Sequence, residues 1–95
     1  MLTQALITAY TAWETCFNSP CIMANGQKAF VGSLACPRDL PLGTVVNIDG
    51  VGFVCADRYN KRLGTRFDMF KGYDKEDYKN AKKFGKVNKL IYIWN

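Results

Sequence analysis

The stretch Val45-Val-Asn-Ile-Asp-Gly-Val-Gly-Phe-Val-Cys-Ala-Asp57 decides the fold class. Two runs rich in valine, isoleucine and phenylalanine, Val45–Ile48 and Val51–Ala56, flank the dipeptide Asp49-Gly50. Asp-Gly tolerates the positive φ angles of a two-residue turn, so the segment reads as a tight β-hairpin.

Outward from the hairpin, the same signals recur in both directions. Leu6–Trp13 and Thr65–Phe70 are β-branched and aromatic, Ala29–Ala35 is a short apolar run, and Lys89–Trp94 closes the chain; each is expected as a strand. Phe17–Gln27, with Asn-Ser-Pro and Asn-Gly, is expected as loop, Pro37–Gly43 as a tight connection and Arg58–Gly64 as a basic surface loop. Between the last two strands the period changes. Asp74 is a helix cap with Asp77 at its third position; Tyr78, Ala81 and Phe84 form a stripe, and Gly85 stops the helix. Six short strands and one helix in a single domain, residues 1–95, point to an all-β closed barrel, which leaves no edge strand exposed. Leu42-Gly-Thr-Val-Val-Asn-Ile48 also echoes Leu63-Gly-Thr-Arg-Phe-Asp-Met69, as in a barrel of two related halves.

The composition narrows the class. At 95 residues, 48% hydrophobic and 22% charged, the chain is one globular domain rather than a disordered one. No apolar run is long enough for a spanning helix, so no membrane span is expected. Its start lacks a basic n-region and a long h-region and is not expected to be a signal peptide; the chain either comes from a longer precursor or reaches its target by another route. Four cysteines in so short a chain favour two disulfides and an oxidising compartment. Three pairings are open; we expect Cys16–Cys21, closing a small loop, and Cys36–Cys55, tying two strands. Without histidine or a Cys-x-x-Cys knuckle, no metal site and no cofactor is expected.

The formal net charge is +5, and seven of the nine lysines fall between Lys71 and Lys89. That imbalance suits an anionic partner. Nucleic acid, an acidic cell-wall polymer and a membrane surface are the candidates, with a solvated helix face as the plain alternative. Because the lysines lie mainly on one expected helix with interleaved acids, no nucleic-acid partner is expected.

With no histidine, Ser-His and Cys-His systems are excluded, and disulfide-bonded cysteines are not nucleophiles. Carboxylates remain. Asp57 ends an apolar strand, and Asp68 stands between Phe67 and Met69, where a charge is costly unless paired or protonated. Arg66 shares a strand face with Asp68, so a salt bridge is the competing explanation.

Three segments carry a family resemblance: Gly32-Ser-Leu-Ala-Cys-Pro-Arg-Asp-Leu-Pro-Leu-Gly-Thr44, Cys55-Ala-Asp57 and Gly64-Thr-Arg-Phe-Asp-Met-Phe70. Together with Tyr10, Asn25-Gly26 and Phe84-Gly85, this ordered set resembles the 3D (three-aspartate) domain family, as in membrane-bound lytic transglycosylase A and the stationary-phase survival proteins. The eleven-residue step from Asp57 to Asp68 is that of the family. The resemblance implies a six-stranded double-psi β-barrel that cleaves peptidoglycan glycan strands without water, leaving 1,6-anhydro ends. It assigns the general acid/base to Asp68 and a supporting charge to Asp57. Tyr10, Asn25, Arg66 and Tyr59 are the candidate substrate contacts. A monomer acting outside the cytoplasm (secreted, periplasmic or in the wall) is expected.

Two positions depart from the family pattern. Its first aspartate falls on Cys36, and Met23-Ala-Asn-Gly26 stands where a hydroxyl residue is common. The alternative is therefore a non-catalytic cell-wall or glycan-binding barrel of the expansin/barwin kind.

Overall fold

In the computed structural model, which describes residues 1–16, 21–58 and 66–94, six strands close into a barrel. The elements in chain order are β1 (Leu2–Tyr10), α1 (Ala12–Thr15), β2 (Ser33–Cys36), β3 (Val45–Ile48), β4 (Val51–Arg58), β5 (Arg66–Phe70), α2 (Lys75–Phe84) and β6 (Val87–Trp94). Around the barrel the strands run β1-β5-β2-β4-β3-β6, and β6 pairs with β1 again. The β1/β5 and β2/β4 pairs are parallel; the other four are antiparallel. Residues 17–20, 59–65 and 95, which include Tyr59 and the first three positions of the Leu63–Met69 echo, lie outside the described residues.

The local signals act where they stand. Asp49 (φ 54°) and Gly50 (φ 82°) turn the β3–β4 hairpin, and Asn47 Oδ1 accepts a 2.9 Å bond from Gly50 N. At α2, Asp74 Oδ1 accepts from Asp77 N at 2.8 Å, and Asp77 Oδ2 accepts in return from Asp74 N, a reciprocal capping box. Gly85, at φ 63°, ends the helix.

Alternation along the strands builds the core. Ala5 and Ile7, Leu34 and Cys36, Val46 and Ile48, Cys55, Phe67 and Met69, and Ile91 and Ile93 point inward and fill the barrel. The Cys36–Cys55 disulfide belongs to this interior, joining β2 to β4 with Cα atoms 5.6 Å apart. A second cluster lies outside: Phe70, Ala56 and Ala12 pack with Cys21, Met23 and Ala29, flanked by Tyr10 and Val54. The segment after the Cys16–Cys21 disulfide thus lies as a cover over one side of the barrel.

The bounds of four strands differ from expectation; β6 starts at Val87 rather than Lys89. β1 starts four residues earlier, at Leu2, and ends at Tyr10; Thr11 is fully buried, and Ala12 N bonds Gly72 O at 2.9 Å, which turns the chain into α1. Aromatic and β-branched composition does not register that tertiary contact. Ala29–Gly32 does not join β2, because Gly32 takes φ 109° and Ser33 N returns to Phe30 O at 3.0 Å. β4 runs two residues past Ala56, to Arg58.

Candidate active site

Asp57 and Asp68 meet across β2. In the β2/β5 register Ala35 lies opposite Asp68, and in the β2/β4 register the same Ala35 lies opposite Asp57. Thr8 of β1 extends the row beyond Asp68. The order across four strands is therefore Thr8, Asp68, Ala35, Asp57. At the usual strand spacing the two aspartate backbones stand about 10 Å apart, with only a methyl side chain between them.

Strict alternation would turn Asp57 into the core, because Cys55 points inward. The register shift between Leu34 and Ala35 prevents this: Leu34 pairs with Cys55 but Ala35 pairs with Asp57, leaving Ala56 as the extra residue. Such a bulge re-aims the side chain that follows it. Asp57 joins the outer face, where its Oδ1 accepts from Ala24 N at 3.0 Å and Arg58 N at 2.8 Å. The cover segment is docked at this point, since Asn25 N also donates to Ala56 O at 3.2 Å.

Asp68 alternates with the buried Phe67 and Met69 and so faces outward, half-buried. Its Oδ1 lies 2.9 Å from Thr8 Oγ1, and that hydroxyl also lies 3.4 Å from Phe67 O. Thr8 is buried and Asp68 half-buried, so the contact is partly shielded from water. Arg66 lies two residues along the same face, opposite Leu6 of β1.

Tyr10 shares the outer face of β1 with Thr8. Its ring meets Phe70 edge-on at 5.2 Å, and Phe70 meets Tyr73 in the same way. The Tyr10 hydroxyl is shielded from solvent and makes no hydrogen bond among the described residues. Burial pushes its pKa up, and the charges of Asp57 and then Asp68 add to the shift. The phenol therefore stands within the field of both carboxylates and stays neutral. Asn25 is exposed and spends its side chain locally, accepting from Gln27 N at 3.0 Å and donating to Gln27 Oε1 at 2.8 Å. Tyr59 lies outside the described residues.

Beside Asp57 opens a cleft of about 470 Å³ lined by Ala24, Arg38, Asp57 and Arg58. Arg58 belongs to the Asp57–Arg62 stretch that the sequence marks as a basic loop able to meet an acidic stem peptide, whereas Thr8, Ala24 and Arg38 were passed over. Thr8 was detectable from the alternation Ile7-Thr8-Ala9, which sets it on the face of Tyr10. Ala24 and Arg38 come to the cleft through tertiary docking, for which the sequence carries no local signal. Among the described residues, no group of three or more acidic or cysteine side chains is arranged to hold a metal ion. No helix among the described residues is long and apolar enough to cross a membrane. Comparisons with protein-family models, with curated proteins and with solved structures find no match to this chain.

Proposed function

We propose that this chain is a peptidoglycan lytic transglycosylase domain on a double-psi barrel, with Asp68 as its general acid/base. The observation that carries the reading is the placement of Asp57 and Asp68 on one outer face, on either side of Ala35. Asp68 protonates the oxygen leaving muramyl C1 as the glycosidic bond breaks. It then takes the proton of the C6 hydroxyl while that oxygen bonds to C1, closing the 1,6-anhydro ring. Asp57 offsets the positive charge that develops at the anomeric carbon.

The neighbours of Asp68 favour a group that changes protonation state. When Asp68 is ionised, the Thr8 hydroxyl donates to it. When Asp68 carries its proton, it donates to Thr8 Oγ1, and Thr8 turns its own hydrogen toward Phe67 O. Both states keep a partner, as a group that gives and regains a proton requires. Two disulfides suit work in the oxidising space outside the cytoplasm, where this substrate lies.

A second reading, a non-catalytic glycan-binding barrel, draws on a different face. On β6 the rings of Tyr92 and Trp94 lie 4.7 Å apart and are 37% and 58% exposed, a stacking surface for sugars.

Digestion of purified peptidoglycan by the wild-type chain and by Asp68→Asn, with products read by mass spectrometry, separates the two. Anhydro-muropeptides formed only by the wild type support the transglycosylase. Reducing-end products carrying the mass of water reject its mechanism, and binding without release supports the module.

A further inference from the structure

We propose that the cleft beside Asp57 is a carboxylate-binding subsite, formed by Arg38 and Arg58, for the acidic peptide branch of a peptidoglycan strand; it rests on the substrate named above. Two arginines, Arg38 and Arg58, and one carboxylate residue, Asp57, line the cleft. That carboxylate is already occupied at Oδ1 by Ala24 N and Arg58 N. Neither arginine forms an ion pair among the described residues, where Lys89–Asp49 is the pair present. Two positive residues against one negative leave the lining with a net positive charge toward an incoming anion.

Arg58 is held in position. Its Nη1 donates to Arg38 O at 3.0 Å and Leu40 O at 3.2 Å, which fixes the guanidinium plane before any ligand arrives. A planar fork anchored at one nitrogen presents its remaining N–H groups in a fixed direction, the geometry that suits a carboxylate. The covalent frame reinforces this. Cys36 is the register partner of Arg58 and precedes Arg38 by two residues, and its disulfide to Cys55 ties together the strand ends that carry both arginines. A neutral glycan gives this cleft nothing to replace the water it would lose, whereas a carboxylate does. The position also fits: the cleft adjoins Asp57, so a branch seated there leaves the sugar chain free to run along the row toward Asp68.

The test compares binding of the oxidised full chain to sacculi with free stem-peptide carboxylates and to the same sacculi after those carboxylates are amidated. The wild type is expected to bind the free form about tenfold more tightly, the worth of one charge-assisted contact. Arg38→Gln, at an exposed position, is expected to bind both at the amidated level. Lys79→Gln removes an equal charge from α2 and is expected to keep the discrimination. Equal wild-type binding to both forms, or discrimination retained in Arg38→Gln, overturns the proposal. So does an equal loss in Lys79→Gln, which would reduce the effect to net charge. A further arm uses glycan strands stripped of peptide. Failure to cleave both these strands and intact sacculi counts against the transglycosylase, whereas Arg38-dependent binding of the free-carboxylate stem peptide alone upholds the subsite.

Discussion

Asp57 and Asp68 are register partners of one residue, Ala35, approached from opposite sides by β4 and β5. The pair is brought together by backbone pairing across three strands, so either aspartate can be neutralised without disturbing how the other is placed.

Asp57 is the more structural of the two, and substitutions should separate its duties. Asp57→Asn keeps an oxygen for Ala24 N and Arg58 N and loses the charge. It is expected to retain the melting temperature while anhydro-product release falls. Asp57→Ala also leaves both N–H groups without their partner, at an expected further cost of about 1–2 kcal/mol in denaturant unfolding.

Thr8 holds Asp68 through its hydroxyl alone. Thr8→Val preserves the branched shape and deletes that oxygen. Product release is expected to drop about tenfold, the scale of one hydrogen bond to a charged group. Thr8→Ser is expected to restore most of it. An equal loss in both variants would mean that packing, not the hydroxyl, matters at this position.

The two disulfides should contribute unequally. Cys36–Cys55 closes 19 residues of sequence and Cys16–Cys21 only 5. On loop entropy alone, replacing the first pair by alanine costs about 3 kcal/mol and the second about 2 kcal/mol. For a chain of this size the larger loss lowers the melting temperature by roughly 12–24 °C. The Cys36/Cys55 variant is expected to melt lower still, because both sulfurs are buried in the barrel core.

Among the described glycines, Gly72 is the least able to carry a side chain. It sits at φ 136°, and a Cβ there would overlap the Asp77 carboxylate that caps α2. Gly72→Ala is expected to destabilise the fold by about 1–3 kcal/mol. Gly26→Ala, at φ 87° with nothing within 4 Å of the new methyl, is expected to cost less. Thermal melts followed by circular dichroism rank the two.

Tyr10 predicts how the fold responds to alkali. Its hydroxyl holds a proton past the ordinary tyrosine value of 10.0, where the unfolded chain has already released one. The contribution of the neutral phenol is complete below that value and is lost as pH rises through it toward the folded one. Urea midpoints measured near pH 8 and about pH 11 should therefore fall further for the wild type than for Tyr10→Phe.

What was legible in the sequence was local. Asp49-Gly50, the Asp74–Asp77 cap, Gly85 and both cysteine pairs carry their instruction within a few residues or in a closable loop. The ends of β1 and β2 were not legible, because Ala12 turns toward Gly72 and Ser33 toward Phe30 for reasons outside strand propensity. The site divides in the same way. Alternation alone sets Asp68 outward between Phe67 and Met69. The same rule applied to Asp57 sets it inward, and only the extra residue at Ala56 reverses that. Arg58 is readable as part of a basic loop beside Asp57, but the approach of Arg38 to the same cleft was hidden.

Closure of the barrel has a consequence for how the chain is made. β1 finds its two neighbours in β5 and β6, and Met1 and Ile93 exchange backbone hydrogen bonds at the seam. The first strand emerges from the ribosome with no partner and waits for nearly the whole chain. At about 5–20 residues per second, that interval is several seconds. Contacts so distant in sequence also make folding slow once synthesis ends. A chain that closes this late stays open, and so threadable, until its last strand is made.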